Sequence, residues 1–387
     1  LPGGGSGGSL GVMSDGGNVV LDGTIRAQVG AGQRGGSFSL DITALPNFAA
    51  LNQRLNEGGF SRSRAFRIRT GDVTLDGTTV AESFTRAADH GRVTIAGTVD
   101  ARPRYGGEIA IYGGNGLTMI STAVLRAGAT DTVDHIGSGR ITLGISAGTL
   151  VVQGGLIDVA GGEGGKVTLR APVIVQPGAD TVNVAFAGSI AGAREIVLEG
   201  FKQFDLAALA NNSNYVGVTI NGSGQAELDL AATAAGKFNV LADYGAGTLV
   251  EFVRDFDISA AYGALGGLAG QANFHARPGM ELNYAGDIVL KSNWNLGAGI
   301  VNQASAIAAG VMTPIPALSG AAYVVAGKES ELLRDHTTMV YRTGGSIFGE
   351  PGVLTLRAEG DIELKGSITD GFFQYADPLD PTYLAVK

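Results

Sequence analysis

A nine-residue phrase recurs along this chain, and the recurrence restricts the fold more than any other feature. Val19–Ala27 reads VVLDGTIRA, Val73–Ala81 reads VTLDGTTVA and Val93–Ala101 reads VTIAGTVDA, with a looser relative, IELKGSITD, at Ile362–Asp370. In the first copy Val19, Leu21, Ile25 and Ala27 share one parity, while Val20, Asp22, Thr24 and Arg26 share the other. Side chains alternate faces along a strand, so the phrase reads as two short strands with one apolar face and a bend at Gly23. The inward sets of the next two copies are Val73, Leu75, Thr79, Ala81 and Val93, Ile95, Val99, Ala101. Glycine at the bend permits a corner that a Cβ would resist. Two such strands bury little alone. Stacked on copies of themselves, they form a core.

A second set of phrases alternates with the first. GGSLGV (Gly7–Val12), GGSFSL (Gly35–Leu40), GGEIAI (Gly106–Ile111) and GGKVTL (Gly164–Leu169) each pair glycines with a short alternating strand. GSGRITL (Gly137–Leu143) and AREIVLEG (Ala193–Gly200) are looser relatives. Successive units lie about 20 to 30 residues apart, a solenoid spacing. No helix-patterned run of ten to fifteen residues recurs between them, which disfavours a doubly wound α/β sheet. An up-and-down barrel needs longer strands and repeated hairpin turns, and Asn221-Gly222 is the clear candidate for such a turn. The expected fold is therefore all-β: a parallel β-helix of two or three short strands per rung, stacked about 4.8 Å apart. At about 20 to 27 residues per rung, that gives some 14 to 19 rungs in a rod of about 70–90 Å.

Composition agrees. Of 387 residues 63 are glycine, yet 44% are hydrophobic and 16% charged, a balance that excludes disorder, and there is no Gly-X-Y period. The apolar residues are mostly small and aliphatic, suited to a thin repetitive core. With 27 basic and 36 acidic side chains the net charge is −9 and no basic run stands out, which argues against nucleic acid as a partner. Cysteine is absent, so disulfides, thiolate metal sites and cysteine nucleophiles are excluded. The opening LPGGGSGGSL has neither the basic nor the apolar region of a leader, so either a leader has been removed or, the favoured expectation, the chain is a segment of something longer. No apolar run approaches the roughly 20 residues of a membrane span.

Residues 1–387 thus read as one continuous β-helix with three excursions, at about 46–59, 205–214 and 297–342. In the first, Phe48, Leu51 and Leu55 have helical spacing, Asn47 is an N-cap and Gly58-Gly59 a stop, so a short helix is expected. The second, FDLAALANNSNYVG, is irregular. The third carries prolines and the charged segment KESELLRDH. Loops on a rigid scaffold are where binding usually resides.

The glycine-punctuated rungs resemble those of the filamentous haemagglutinin family, the large exoproteins of bacterial two-partner secretion. The likeness covers nearly the whole chain. It is strongest in NFAALNQRLNEGGFSRSRAFRIRTGDVTLDG (Asn47–Gly77), FHARPGMELNYAGDIVLKSNWNLG (Phe274–Gly297) and GEPGVLTLRAEGDIELKGSITDGF (Gly349–Phe372). The resemblance implies a right-handed β-helix, export through an outer-membrane two-partner-secretion transporter, and adhesion or fibre formation at the cell surface. The family's amino-terminal secretion domain, with NPNL-like and NPNG-like motifs, is not visible here. The transporter would be engaged by a region outside this chain, which then corresponds to shaft or distal region.

Candidate chemistry is sparse. Read as a strand, EFVRDFD puts Glu251, Asp255 and Asp257 on one face, where neighbouring carboxylates share a proton or bind a divalent cation. The plainer reading buries Phe252, Phe256 and Ile258 and leaves the acids in water. His90, His135, His275 and His336 are scattered and form no zinc motif. His135 with Asp131 and Asp134 makes an acidic turn that reads either as a calcium site or as a solvated turn. Trp294 in KSNWNLG reads as a sugar-stacking ring or as a cap on the core. No catalytic residue, cofactor or metal is assigned; Trp294, Asp255 and Asp257 are the candidate ligand contacts. The expectation is a non-enzymatic extracellular segment of a bacterial surface filament, contacting host or neighbouring cell surfaces or their glycans. A subunit that polymerises end to end through its open strand edges is the first alternative, and a β-helical polysaccharide lyase or hydrolase the second.

Overall fold

The computed structural model describes residues 5–16, 19–21, 23–30, 33–45, 47–131, 138–176, 180–295, 342–343 and 350–369. The chain forms two compact units, one of residues 1–200 with 258–276 and the other of residues 201–257 with 277–387.

The first unit is a parallel β-helix whose strands stack in three ladders. The long ladder takes Ser9–Ser14, Ser37–Ile42, Ser63–Ile68, Ser83–Ala88, Glu108–Gly113, Arg140–Ile145, Gly165–Ile174 and the start of Ala193–Asp205, in chain order. A second ladder stacks Val73–Leu75, Val93–Ile95, Leu117–Met119, Leu150–Val152 and Val184–Phe186. The third stacks Thr78–Val80, Thr98–Asp100, Val124–Arg126, Leu156–Asp158 and Ser189–Ala191. All six glycine-paired phrases lie in long strands. The second and third copies of the nonapeptide each supply one strand to the second ladder and one to the third, paired residue for residue: Val73 with Val93, Thr78 with Thr98.

Alternation sets the core. Val73, Leu75, Thr79 and Ala81 are buried, as are Val93, Ile95, Val99 and Ala101. Gly77, at the corner of the second copy, has φ +69°, in the left-handed region glycine favours. In the long ladder Ile109, Ile111, Ile141, Leu143, Val167 and Leu169 line the same interior. Turns vary while strands hold register. Ser63 faces Ser83 and Glu108 faces Arg140, so one circuit takes from about 20 to about 32 residues. Most circuits fall within the sequence-based 20 to 27, and those from Ser9 to Ser37 and from Glu108 to Arg140 run longer. Eight positions of the long ladder account for the first unit, a number in keeping with the expected rung length.

Two departures have visible causes. The first copy of the nonapeptide keeps its parity, with Val19, Leu21, Ile25 and Ala27 half-buried, but forms no strand. In the next circuit the two short strands are replaced by α1, Phe48–Glu57, so the first copy has no ladder to join and meets the helix instead. Ala27 N donates to Gly58 O at 2.6 Å, and Gln28 Nε2 to Glu57 O at 2.9 Å. The helix itself follows its sequence: Asn47 caps it by accepting from Ala50 N, and Phe48, Leu51 and Leu55 are buried. Phe48 packs edge-on against Phe66, centroids 5.4 Å apart, in a cluster with Phe38, Phe60 and Phe84.

The second departure is the presence of Arg64 and Arg86 on inward positions of two successive long strands, both buried. Arg64 is satisfied by Phe60 O at 2.8 Å and by Asn52 Oδ1 of α1 at 2.6 Å. Arg86 Nη1 donates to Ala87 O at 3.3 Å, while Nε and Nη2 meet no partner among the described residues. Burial pulls both guanidinium pKa values down to about 10.

The second unit repeats the plan on a smaller scale. Phe274–Tyr284 pairs in parallel with Val353–Ala358 from Gly279 onward, Ile288–Leu290 with Ile362–Leu364, and Trp294–Asn295 with Ile368–Thr369. The fourth copy of the phrase thus again supplies two strands of one rung. Asn221 does sit in a hairpin: Val218–Ile220 runs antiparallel to Ala226–Leu228, and its Oδ1 accepts from Ser223 N and Gln225 N. The excursion at 205–214 contains α2, Leu206–Asn211, capped by Asp205. The excursion at 297–342 lies outside the described residues except for Arg342, in the short strand Arg342–Thr343.

Candidate surface groove on the first unit

Most circuits of the first unit return from the third ladder to the long one through a turn that contains glycine; the return from Thr78–Val80 to Ser83–Ala88, through Ala81 and Glu82, does not. Stacked on one another, these turns form the floor of an open groove of about 810 Å³. A Cβ on Gly139 would run into the carbonyl oxygens of Ala127 and Gly107, so backbone packs directly on backbone there. Gly107 N donates to Ala127 O at 2.8 Å and Arg140 N to Gly107 O at 2.9 Å. The first residues of successive long strands form an outward row, Ser63, Ser83, Glu108 and Arg140, one per circuit, the last two directly after glycine.

Four arginines line this groove, Arg34, Arg62, Arg104 and Arg140, against Glu82 and Glu108. On a chain of net charge −9 this is a locally basic surface. Two of the four are tied. Arg34 Nε lies 3.6 Å from Glu82 Oε2, and Arg104 Nε donates to Asp131 Oδ2 at 2.9 Å. That bond raises the Arg104 pKa further above its ordinary value. Arg62 and Arg140 are exposed and have no ion pair among the described residues.

One wall is the loop Arg102–Gly106. Its base is clamped by a two-point bond from Arg102 to Asp100, 2.9 and 2.6 Å, which holds the Asp100 carboxyl below its usual range. The next circuit steadies it, since Thr130 N donates to Pro103 O and Asp131 N to Arg104 O. At the tip Tyr105 is 53% exposed, with the Arg104 guanidinium 5.0 Å from its ring centre. Serine hydroxyls of Ser63 and Ser83 complete the lining. Sequence inspection missed this surface. Its one signal was the recurrence of charged or hydroxyl residues directly after the glycine pairs, at Glu108, Arg140 and Lys166.

The residues singled out from sequence stand elsewhere, in the second unit. Leu249–Arg254 is a short helix, α3, so the strand reading of EFVRDFD is corrected. Thr248 starts the helix by accepting from Glu251 N at 3.1 Å, and Glu251 Oε2 accepts from Gly247 N at 2.6 Å, two caps that alternation alone does not reveal. Phe252, Phe256 and Ile258 are buried, and Asp255 and Asp257 are exposed. Asp255 follows the helix and accepts from Tyr244 Oη at 2.7 Å. Glu251 and Asp255 are thus each engaged in local bonds. Trp294 is fully buried, so its ring is core and presents no face to a ligand in this structure. Asp131 bonds to Arg104, whereas Asp134, His135 and His336 lie outside the described residues. Among the described residues no three His, Cys, Asp or Glu side chains group as metal ligands, and no helix is long and apolar enough to cross a membrane. No protein-family model, curated protein or solved structure matches the chain.

Proposed function

We propose that the chain is a structural and adhesive segment of a secreted bacterial surface filament of the filamentous haemagglutinin type, without catalytic activity, acting at the outer surface in cell attachment or biofilm contact. The observation that carries this reading is the basic, tyrosine-walled groove built along a parallel β-helix. A stack of interchangeable rungs suits a structural element, because each circuit supports its neighbours through nearest-neighbour ladders. The groove gives that element a surface with guanidinium groups that have no ion pair among the described residues, on an acidic chain. Engagement of Asp255 by Tyr244, and of Glu251 by the start of α3, supports a structural role for the acids that a polysaccharide-cleaving enzyme would need. Delivery by a two-partner-secretion transporter belongs to the same proposal. Labelled purified chain is expected to bind bacterial or host cell surfaces saturably and to be displaced by unlabelled chain. Non-saturable binding at the level of an acidic control protein would overturn the reading.

A further inference from the structure

We propose that the groove of the first unit binds an extended polysaccharide carrying widely spaced carboxylates, with Arg62 and Arg140 as the carboxylate clamps and Tyr105 as the platform for a sugar ring. The inference rests on the adhesive reading and names the ligand class.

Arg34 and Arg104 are held by Glu82 and Asp131, whereas Arg62 and Arg140 have no carboxylate at ion-pair distance among the described residues. A guanidinium presents parallel N–H donors that match the two oxygens of a carboxylate. Register then fixes the spacing. Arg62 directly precedes Ser63, and Ser63, Ser83, Glu108 and Arg140 stack on successive circuits. Three steps at about 4.8 Å put the two clamps about 14 Å apart along the ladder. A single sugar cannot span that distance, but an extended chain can.

Charge between the clamps selects further. Glu82 and Glu108 line the groove on the intervening circuits. A polyanion charged on every unit would set its middle charges against these carboxylates. Single-stranded nucleic acid, with a phosphate on every nucleotide, is of that kind. A polymer whose carboxylates are separated by neutral sugars places hydroxyl groups there instead, and glutamate oxygens accept hydrogen bonds from hydroxyls. Ser63 and Ser83 add hydroxyl partners on the same floor. The exposed ring of Tyr105 offers the apolar face on which a sugar packs, and its loop is fixed in advance by the Arg102–Asp100 clamp, which lowers the ordering cost of binding.

The test is titration calorimetry of the intact chain with four probes at 0.15 M salt. They are hyaluronan oligosaccharide (a carboxylate on every second sugar), the same oligosaccharide with its carboxyls reduced to alcohols, heparin and neutral dextran. Hyaluronan is expected to bind at least tenfold more tightly than each of the others. The double substitution Arg62→Ser/Arg140→Ser is expected to weaken hyaluronan at least tenfold, Arg62→Lys/Arg140→Lys to restore it in part, and Tyr105→Ala to weaken it severalfold. Equal affinity for carboxyl-reduced hyaluronan, tighter binding of heparin, or an unaffected double serine variant would each overturn the proposal. The reduced ligand keeps the test valid even if the variants misfold. Chain that binds cells but not hyaluronan refutes this assignment and leaves adhesion standing; chain that binds hyaluronan but not cells does the reverse.

Discussion

Replacing Arg86 by methionine is expected to stabilise the first unit. Its guanidinium is fully buried on an inward position of Ser83–Ala88, with one bond to Ala87 O at 3.3 Å and with Nε and Nη2 unmatched. Burial holds its pKa at about 10, between two and three decades below ordinary arginine, and at about 1.4 kcal/mol per decade the buried cation costs about 3 kcal/mol. Methionine keeps much of the stem's packing and removes the charge, so a gain of about 1–3 kcal/mol is expected at pH 7. Arg64 is the control. Its pKa is lowered likewise, but its bonds to Phe60 O and Asn52 Oδ1 are good ones. Arg64→Met strands both acceptors and should cost about 1–3 kcal/mol. The pH dependence has a definite sign. A base whose folded pKa is depressed carries its full penalty below that pKa and loses it as pH rises toward the unfolded value. The advantage of the Arg86 variant should therefore shrink above pH 10. Urea denaturation followed by circular dichroism, with hydrogen exchange on Ser63–Ile68 and Ser83–Ala88, measures both variants. If Arg86→Met destabilised the fold as much as Arg64→Met, the buried Arg86 cation would not be the cost assigned to it.

Gly139→Ala should cost more than about 2 kcal/mol, because its Cβ meets backbone carbonyls on two sides, and the loss is read as a lowered urea midpoint. Asn47→Ala removes the α1 cap and should cost about 1 kcal/mol, with faster hydrogen exchange confined to residues 47–58. Asp100 has a depressed pKa through its bond to Arg102, so its contribution is complete above the ordinary aspartate range and disappears as pH falls through the lower folded value. Asp100→Asn should thus be less stable than the parent at pH 6, with the difference narrowing as pH falls below the ordinary aspartate range, as urea midpoints will show. Electron microscopy over a range of concentrations is expected to show discrete particles; long filaments would favour the fibre subunit.

The ladders were legible because alternation and a glycine corner are local: Val73, Leu75, Val93 and Ile95 point inward by parity alone. Helix α1 was equally legible, since Asn47, the Phe48–Leu51–Leu55 spacing and Gly58-Gly59 are contiguous signals. Its effect on the first nonapeptide was not, because the lost ladder partners lie a full circuit away. Ser63–Ile68 and Ser83–Ala88 were obscured by Arg64 and Arg86, charges standing where parity demands apolar side chains. In EFVRDFD, Phe252, Phe256 and Ile258 are buried as the plainer reading had them, but Val253, on the parity of the acids, is buried too, because the Thr248 and Glu251 caps make the segment a helix. The groove was least legible of all. Arg62, Tyr105 and Arg140 come from three circuits, and only the register of Ser63, Ser83, Glu108 and Arg140 brings them onto one surface.

The most direct test of the adhesive account is to display the chain on bacteria that do not otherwise attach and to count the cells retained on a biofilm or host-cell layer under flow. Display should raise retention severalfold over an empty carrier, and Arg62→Ser/Arg140→Ser should abolish most of that gain. Retention equal to the empty carrier, with the chain displayed and folded, would contradict it.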